Sequence, residues 1–163
     1  MARAGLPPLL AQITGGTVTW QRLEGLKYDV LGYFLCCHLV IEHYLDEYLR
    51  IRYSTLDWDA ARFTFGQKIA LLSNFKVSEK YDCIPAIKHM NSLRNKLSHN
   101  IEFKIDADSL LPLRQYLTKT YDRKRSPPNN PKKLLEEFTT MVCVLFAGYI
   151  SAHAATHSKH TRK

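Results

Sequence analysis

The sequence predicts an all-α protein, an up-and-down bundle of about five helices joined by short connections. Three observations carry this expectation. From Trp20 to Tyr53 the chain holds no proline and no interior run of turn residues. Helix-start signals recur after it, and the last apolar stretch repeats at helical spacing. At 163 residues the chain can bury one ordinary core, so 1–163 reads as one domain, with 1–19 as an N-terminal extension and 154–163 as a basic, flexible tail.

The elements follow in order. Leu31, Leu35, Val40, Leu45 and Leu49 recur at near-helical spacing, which predicts one long helix, or two in tandem with a bend near Gly32. Thr64 followed three residues on by Gln67 is a capping-box pattern and opens a short second helix. After a loop around Lys76 and Val77, Ser78 is the expected N-cap of a third helix running to His99. "IEFKI" reads as a short extended link, and Asp108 or Ser109 as the cap of a fourth helix ending before Arg123. The "SPPNNP" stretch is a break, and Asn130 before Pro131 starts a fifth helix to about His153. In it Leu134, Phe138, Met141, Leu145 and Tyr149 step by three or four and form the expected core stripe.

Composition narrows the class. With 45% hydrophobic residues the chain is not a disordered segment, and its strongest apolar run, "MVCVLFAGYI", is about half of what a bilayer span needs. Pro7 and Pro8 interrupt the N-terminus, which lacks the apolar stretch of a secretory signal. The expectation is a cytoplasmic protein without a membrane partner. Cys36, Cys37, Cys83 and Cys143 show no CxxC spacing and sit in apolar patterns, which suits reduced, buried thiols and predicts no metal site and no cofactor. The formal charge is +8, and its excess lies in two stretches: five bases in 123–133 and three in "SKHTRK". Both stretches read as flexible. They suit either non-specific attraction of a polyanion such as RNA or simple solubility.

The third helix carries the chemistry. With Leu97 at the centre of its buried face, Ala86, Met90 and Leu93 fall within about 40°. Lys88, Asn91, Asn95, Ser98 and His99 gather on the opposite face with no carboxylate among them, whereas a solvated helix face usually mixes both signs. Arg94 stands at the edge of the stripe, about 60° from its centre, where the stem packs and the guanidinium reaches out. A guanidinium offers a planar fork of donors to a phosphate, and an imidazole gives or takes a proton near neutrality. Arg94, Asn95 and His99 are therefore sufficient parts for metal-independent attack of an RNA 2′-OH on its phosphate. Lys88, Asn91, Lys96 and Ser98 are the candidate RNA contacts. On one ideal helix Arg94 and His99 lie about 140° apart, so the arginine reaches round, the helix bends at His99, or a second copy completes the site. Taken alone, the spacing is a weak pattern that chance often produces, and it suits better a histidine placed at the negative end of a helix dipole. His38, His43 and His89 read as isolated, satisfied or exposed side chains, and Tyr44, Tyr48 and Tyr53 as helix-surface packing.

The order "FLCCHLVIEHYLDEYL", "FTFGQKIALLSNF", "IKHMNSLRNKLSHN" resembles the HEPN superfamily over residues 30 to 100, centred on an Rx4-6H motif at Arg94–His99 with the polar Asn95 directly after the arginine. The resemblance implies a homodimer whose paired motif helices build one RNA-cleaving cleft, as in toxin–antitoxin and antiviral or abortive-infection systems. It implies Arg94 and His99 as catalytic, Asn95 as their helper, Glu42 as a supporting partner of Arg94 or a structural ion pair, and an antitoxin or regulatory protein as a possible partner. The alternative it leaves is an idle module that binds nucleotide, RNA or protein. Some such toxins carry a modifiable tyrosine two residues after the histidine; here Ile101 stands there, so that form of silencing has no acceptor.

Overall fold

Six α-helices follow one β-hairpin in the computed structural model, which describes residues 9–15, 17–21, 28–75, 78–100, 103–121 and 125–160. The hairpin pairs β1 (Leu9–Thr14) with β2 (Thr17–Gln21), antiparallel. The sequence reading placed an extension and a helix start here. The overlooked signal is "ITGGTV": a two-residue glycine turn between β-branched residues is a strong hairpin pattern, and Gly15 takes a positive φ of 57°.

The helices are α1 (Tyr28–Arg52), α2 (Trp58–Ala61), α3 (Phe65–Ala70), α4 (Ile84–His99), α5 (Leu111–Thr120) and α6 (Pro131–His160). Together they form an all-α bundle, as expected. The first helix is unbroken at Gly32 and starts at Tyr28 rather than Trp20. The one-turn α2, capped by the Asp57 side chain, was not foreseen. The predicted capping box is present at α3: Gln67 N–H donates to Thr64 Oγ1, and Thr64 N–H donates to Gln67 Oε1 at 2.8 Å. Ser78 precedes only a 3-10 turn, Glu79–Tyr81, and α4 starts at Ile84 with Pro85 in its first turn. Asp106 and Ser109 bond each other reciprocally in the turn before α5 instead of capping it. Asn130 caps α6 by accepting from Lys133 N–H at 3.1 Å. The Lys76–Val77 loop, part of the "IEFKI" link, Arg123, Lys124 and the last three residues lie outside the described residues.

Packing corrects two stripes. In α1 the buried positions are Phe34, Cys37, His38, Ile41, Leu45 and Leu49, while Leu35, Leu39 and Val40 face outward. In α6 they are Leu134, Leu135, Phe138, Thr139, Val142, Cys143 and Phe146, and Tyr149 is exposed. A spacing of three or four fits two adjacent faces of one helix equally well, and only the neighbours decide between them. The main contact is α1 against α6; α5 joins α6 and α4, and α3 joins α4 and α1. By length and composition α6 could span a membrane over Pro131–Ala154, further than the short apolar run suggested, but its apolar face lies in the same core cluster as α1.

From Arg125 on, the basic stretch before α6 is pinned rather than loose. Arg114 donates to the carbonyls of Pro127 and Pro128, Arg125 pairs with Glu137 at 2.8 Å, and Lys132 with Asp29 at 2.6 Å. Two of its five bases are thereby engaged within the chain. Of the cysteines, Cys37, Cys83 and Cys143 are buried and Cys36 is exposed, contrary to the expectation for that one.

The α3 capping box fixes the entry of the chain beside α4. Thr64→Ala is expected to cost about 1 kcal/mol, read as a lower urea midpoint with an unchanged m-value; an unaltered midpoint would show the box to be energetically idle.

Candidate functional site

Helix α4 is set in place by Ala86, Ile87, Met90 and Leu93, each at most 4% exposed. Burying such side chains contributes roughly 1.5–3 kcal/mol each for the larger ones, enough to fix the helix's rotation. Leu97 is only half-buried, so the buried face is centred N-terminal of the expected point. The helix is regular through His99 and leaves helical geometry at Asn100, which removes a bend at His99 as a means of joining the two residues.

The polar residues of α4 consequently face two adjoining concavities. One, of about 650 Å³, lies between α1, the start of α3 and α4, and is lined by Arg94 with Leu35, His38, Leu39, Glu42, Phe63 and Phe65. The other, more open and about 730 Å³, holds His99 with Lys88, Ser92, Lys96, Asn100 and Phe103. Asn91 and Asn95 line both and form the ridge between them. A larger hollow of about 850 Å³ at the end of the bundle contains none of the predicted site residues.

Each predicted residue can thus be placed. Arg94, Asn95 and His99 are all exposed, but one chain puts Arg94 and His99 in different concavities. Lys88, Asn91 and Lys96 line the His99 side, with Lys96 Nζ 5.7 Å from the Phe103 ring centre. Among the described residues no carboxylate lines that side. Ser98 lines neither concavity; its hydroxyl donates to the Arg94 carbonyl one turn back at 3.0 Å. Glu42 does stand in the Arg94 concavity, but its ion pair is with Lys68, at 2.8 Å. The expected pairing of Glu42 with Arg94 is not present; Lys68, which the sequence did not suggest, takes its place.

Three residues escaped the sequence reading. Lys68 of α3 donates to Glu42 Oε1 at 2.8 Å and to Asp46 Oδ2 at 2.9 Å, so one ammonium bridges two carboxylates a turn apart on α1. Burial pulls the Lys68 pKa down, but the hydrogen bonds and charges of Asp46 and Glu42 outweigh it and hold it above the usual 10.5. His38 is 4% exposed, with its ring centre 4.3 Å from that of Phe65, its Nδ1 4.0 Å from Glu42, and its Nε2 enclosed without a hydrogen-bond partner. Burial lowers its pKa below 6.5; Glu42 opposes this, Arg94 adds to it, and the Asn91 amide opposes it. The missed signal is the spacing His38, Glu42, Asp46, one residue per turn on a single α1 face. His89, by contrast, bonds the Ser109 carbonyl at 2.7 Å, and His43 is exposed, as expected of isolated histidines. Tyr48 packs on Phe75 and Phe146, and Tyr53 donates to the Leu71 carbonyl, so these tyrosines serve packing.

Chemically, the arrangement offers a phosphate-sized fork of donors on one side of α4, a titratable imidazole among cations on the other, and two amides between. Compared with protein-family models, with curated proteins and with solved structures, the chain finds no match.

The buried His38 makes stability depend on pH. Its folded pKa lies below the ordinary value, so the unfolded chain takes up the proton first; the stability this residue allows is present above pH 6.5 and falls as pH drops through that value. Between pH 7.5 and 5.5 wild type is expected to lose more unfolding free energy than His38→Gln. Equal losses in urea titrations of the two proteins would show that His38 is not held neutral by the fold.

Proposed function

We propose that the protein is a metal-independent endoribonuclease of the HEPN type, acting as a homodimer and cleaving RNA by 2′-OH attack on the adjacent phosphate. The observation that carries the reading is the α4 surface: Arg94 and His99, joined by Asn91 and Asn95, in two concavities, of which the His99 one also holds Lys88 and Lys96 and, among the described residues, no carboxylate. Lys88 and Lys96 attract the backbone of the RNA on the His99 side. His99 moves the proton of the attacking or leaving oxygen, and Arg94 neutralises the charge that grows on the phosphate.

A single chain offers each half-site without its complement. A second copy, related by a two-fold axis, brings the Arg94 concavity of one protomer to the His99 concavity of its partner and completes the constellation. The outward apolar residues Leu35, Leu39 and Val40, beside the Arg94 concavity, support such pairing, since large side chains of this kind gain from being covered. The resemblance of the Arg94–His99 segment to the Rx4-6H motif agrees with this reading, and with a role as a cytoplasmic toxin or antiviral effector held in check by an antitoxin or regulatory protein. A second reading, a binding module that captures RNA or nucleotide without cleaving it, is favoured by the same separation of Arg94 from His99 within one chain.

Complementation separates the two. Arg94→Ala and His99→Ala are each expected to cut metal-free RNA cleavage by about 10²–10⁴-fold. Mixed and re-annealed in equal amounts, they are expected to regain about a quarter of the wild-type rate, because half the dimers carry one intact composite site. No recovery would place both residues in the same protomer's site, and no wild-type cleavage of any RNA would favour the binding module.

A further inference from the structure

Glu42 and Arg94 line the same concavity, and a carboxylate there is the natural competitor for a phosphate. A guanidinium engaged bidentately by a glutamate has its fork of donors occupied and its charge cancelled. Yet among the described residues no carboxylate pairs with Arg94, and Glu42 is held by Lys68 instead. Lys68 is 12% exposed in its side chain, less screened than a surface lysine, and it holds Asp46 as well. Without it, Glu42 and Asp46 would be two like charges one turn apart on α1, a repulsive arrangement that favours Glu42 turning to another cation lining its concavity. His38 offers little charge at neutral pH, because burial and Arg94 disfavour its protonation. Arg94 remains.

We propose that Lys68 is a positioning residue for the Arg94 half of the site: by holding Glu42 and Asp46 it keeps Glu42 off the guanidinium and leaves Arg94 open to a phosphate group. This rests on the reading that the concavity receives an RNA phosphate, and it adds that the vacancy on Arg94 is maintained from α3. Lys68 itself does not touch the substrate. Its effect passes through Glu42 alone, since Asp46 does not line the concavity.

The test measures binding rather than cleavage, using anisotropy of a fluorescent 2′-O-methyl oligoribonucleotide, which cannot be cleaved, at fixed low ionic strength. Lys68→Met is expected to bind about tenfold more weakly than wild type, and Lys68→Met/Glu42→Gln to return to within about twofold of it. Lys68→Met/Asp46→Asn has the same net charge as the rescued variant but is expected to stay weak. Equal rescue by both double variants would reduce the effect to net charge and overturn the proposal, as would Lys68→Met binding like wild type. Should Lys68→Met fail to fold, the Arg94 Nε–Hε resonance decides the matter in wild type and Glu42→Gln. An unshifted resonance is expected, and a marked shift would mean that Glu42 already engages Arg94. Failure of wild type to bind the oligonucleotide would instead strike the RNA reading, while the resonance still reports whether Glu42 is held away.

Discussion

The rotation of α4 about its own axis governs the rest. Ala86, Ile87, Met90 and Leu93 have to be buried, and no other rotation buries all four. Once that face is inward, Arg94 must emerge on the side of α1 and α3, and His99 on the far side. Five residues advance a helix by about 140° beyond a full turn, so a regular α4 directs the two side chains to different sides. The composite dimer is proposed in answer to this constraint: the helix separates the two groups, and a two-fold axis is the simplest operation that would reunite them.

Charge distribution on α1 follows the same economy. Glu42 and Asp46 share one side of that helix with His38, and all three look toward α3 and α4. An ammonium from α3 satisfies both carboxylates at once, although Glu42 shares its concavity with Arg94. The cost of half-burying three charges is offset because each has a partner within hydrogen-bond reach. His38 shows the other solution to burial. It has no such partner at Nε2 and is held toward its neutral form.

Much of this was legible in the residues. The all-α class, the Thr64–Gln67 box, the Asn130–Pro131 start and the burial of Ala86, Met90 and Leu93 on α4 all follow from local chemistry, where the sequence within four residues decides the outcome. What escaped depends on neighbours distant in sequence. Which of two adjacent apolar faces of α1 and α6 turns inward is set by the partner helix, and the pairing of Glu42 with Lys68 spans 26 residues. The hairpin is a different case. Its glycine turn was visible, but the proline-free run after it drew the helix start too far back. At the site, the grouping of the candidate residues was not legible: two hollows share one ridge of amides, and Ser98 turns back on its own helix.

The central claim concerns which atoms meet at one phosphate. A crystal structure of the protein with an uncleavable oligoribonucleotide addresses it directly. The account predicts one phosphate contacted by Arg94 of one protomer and His99 of its partner, each within about 2.6–3.2 Å. Arg94 and His99 opening onto separate solvent faces in the assembled protein, with no phosphate shared between them, would contradict it.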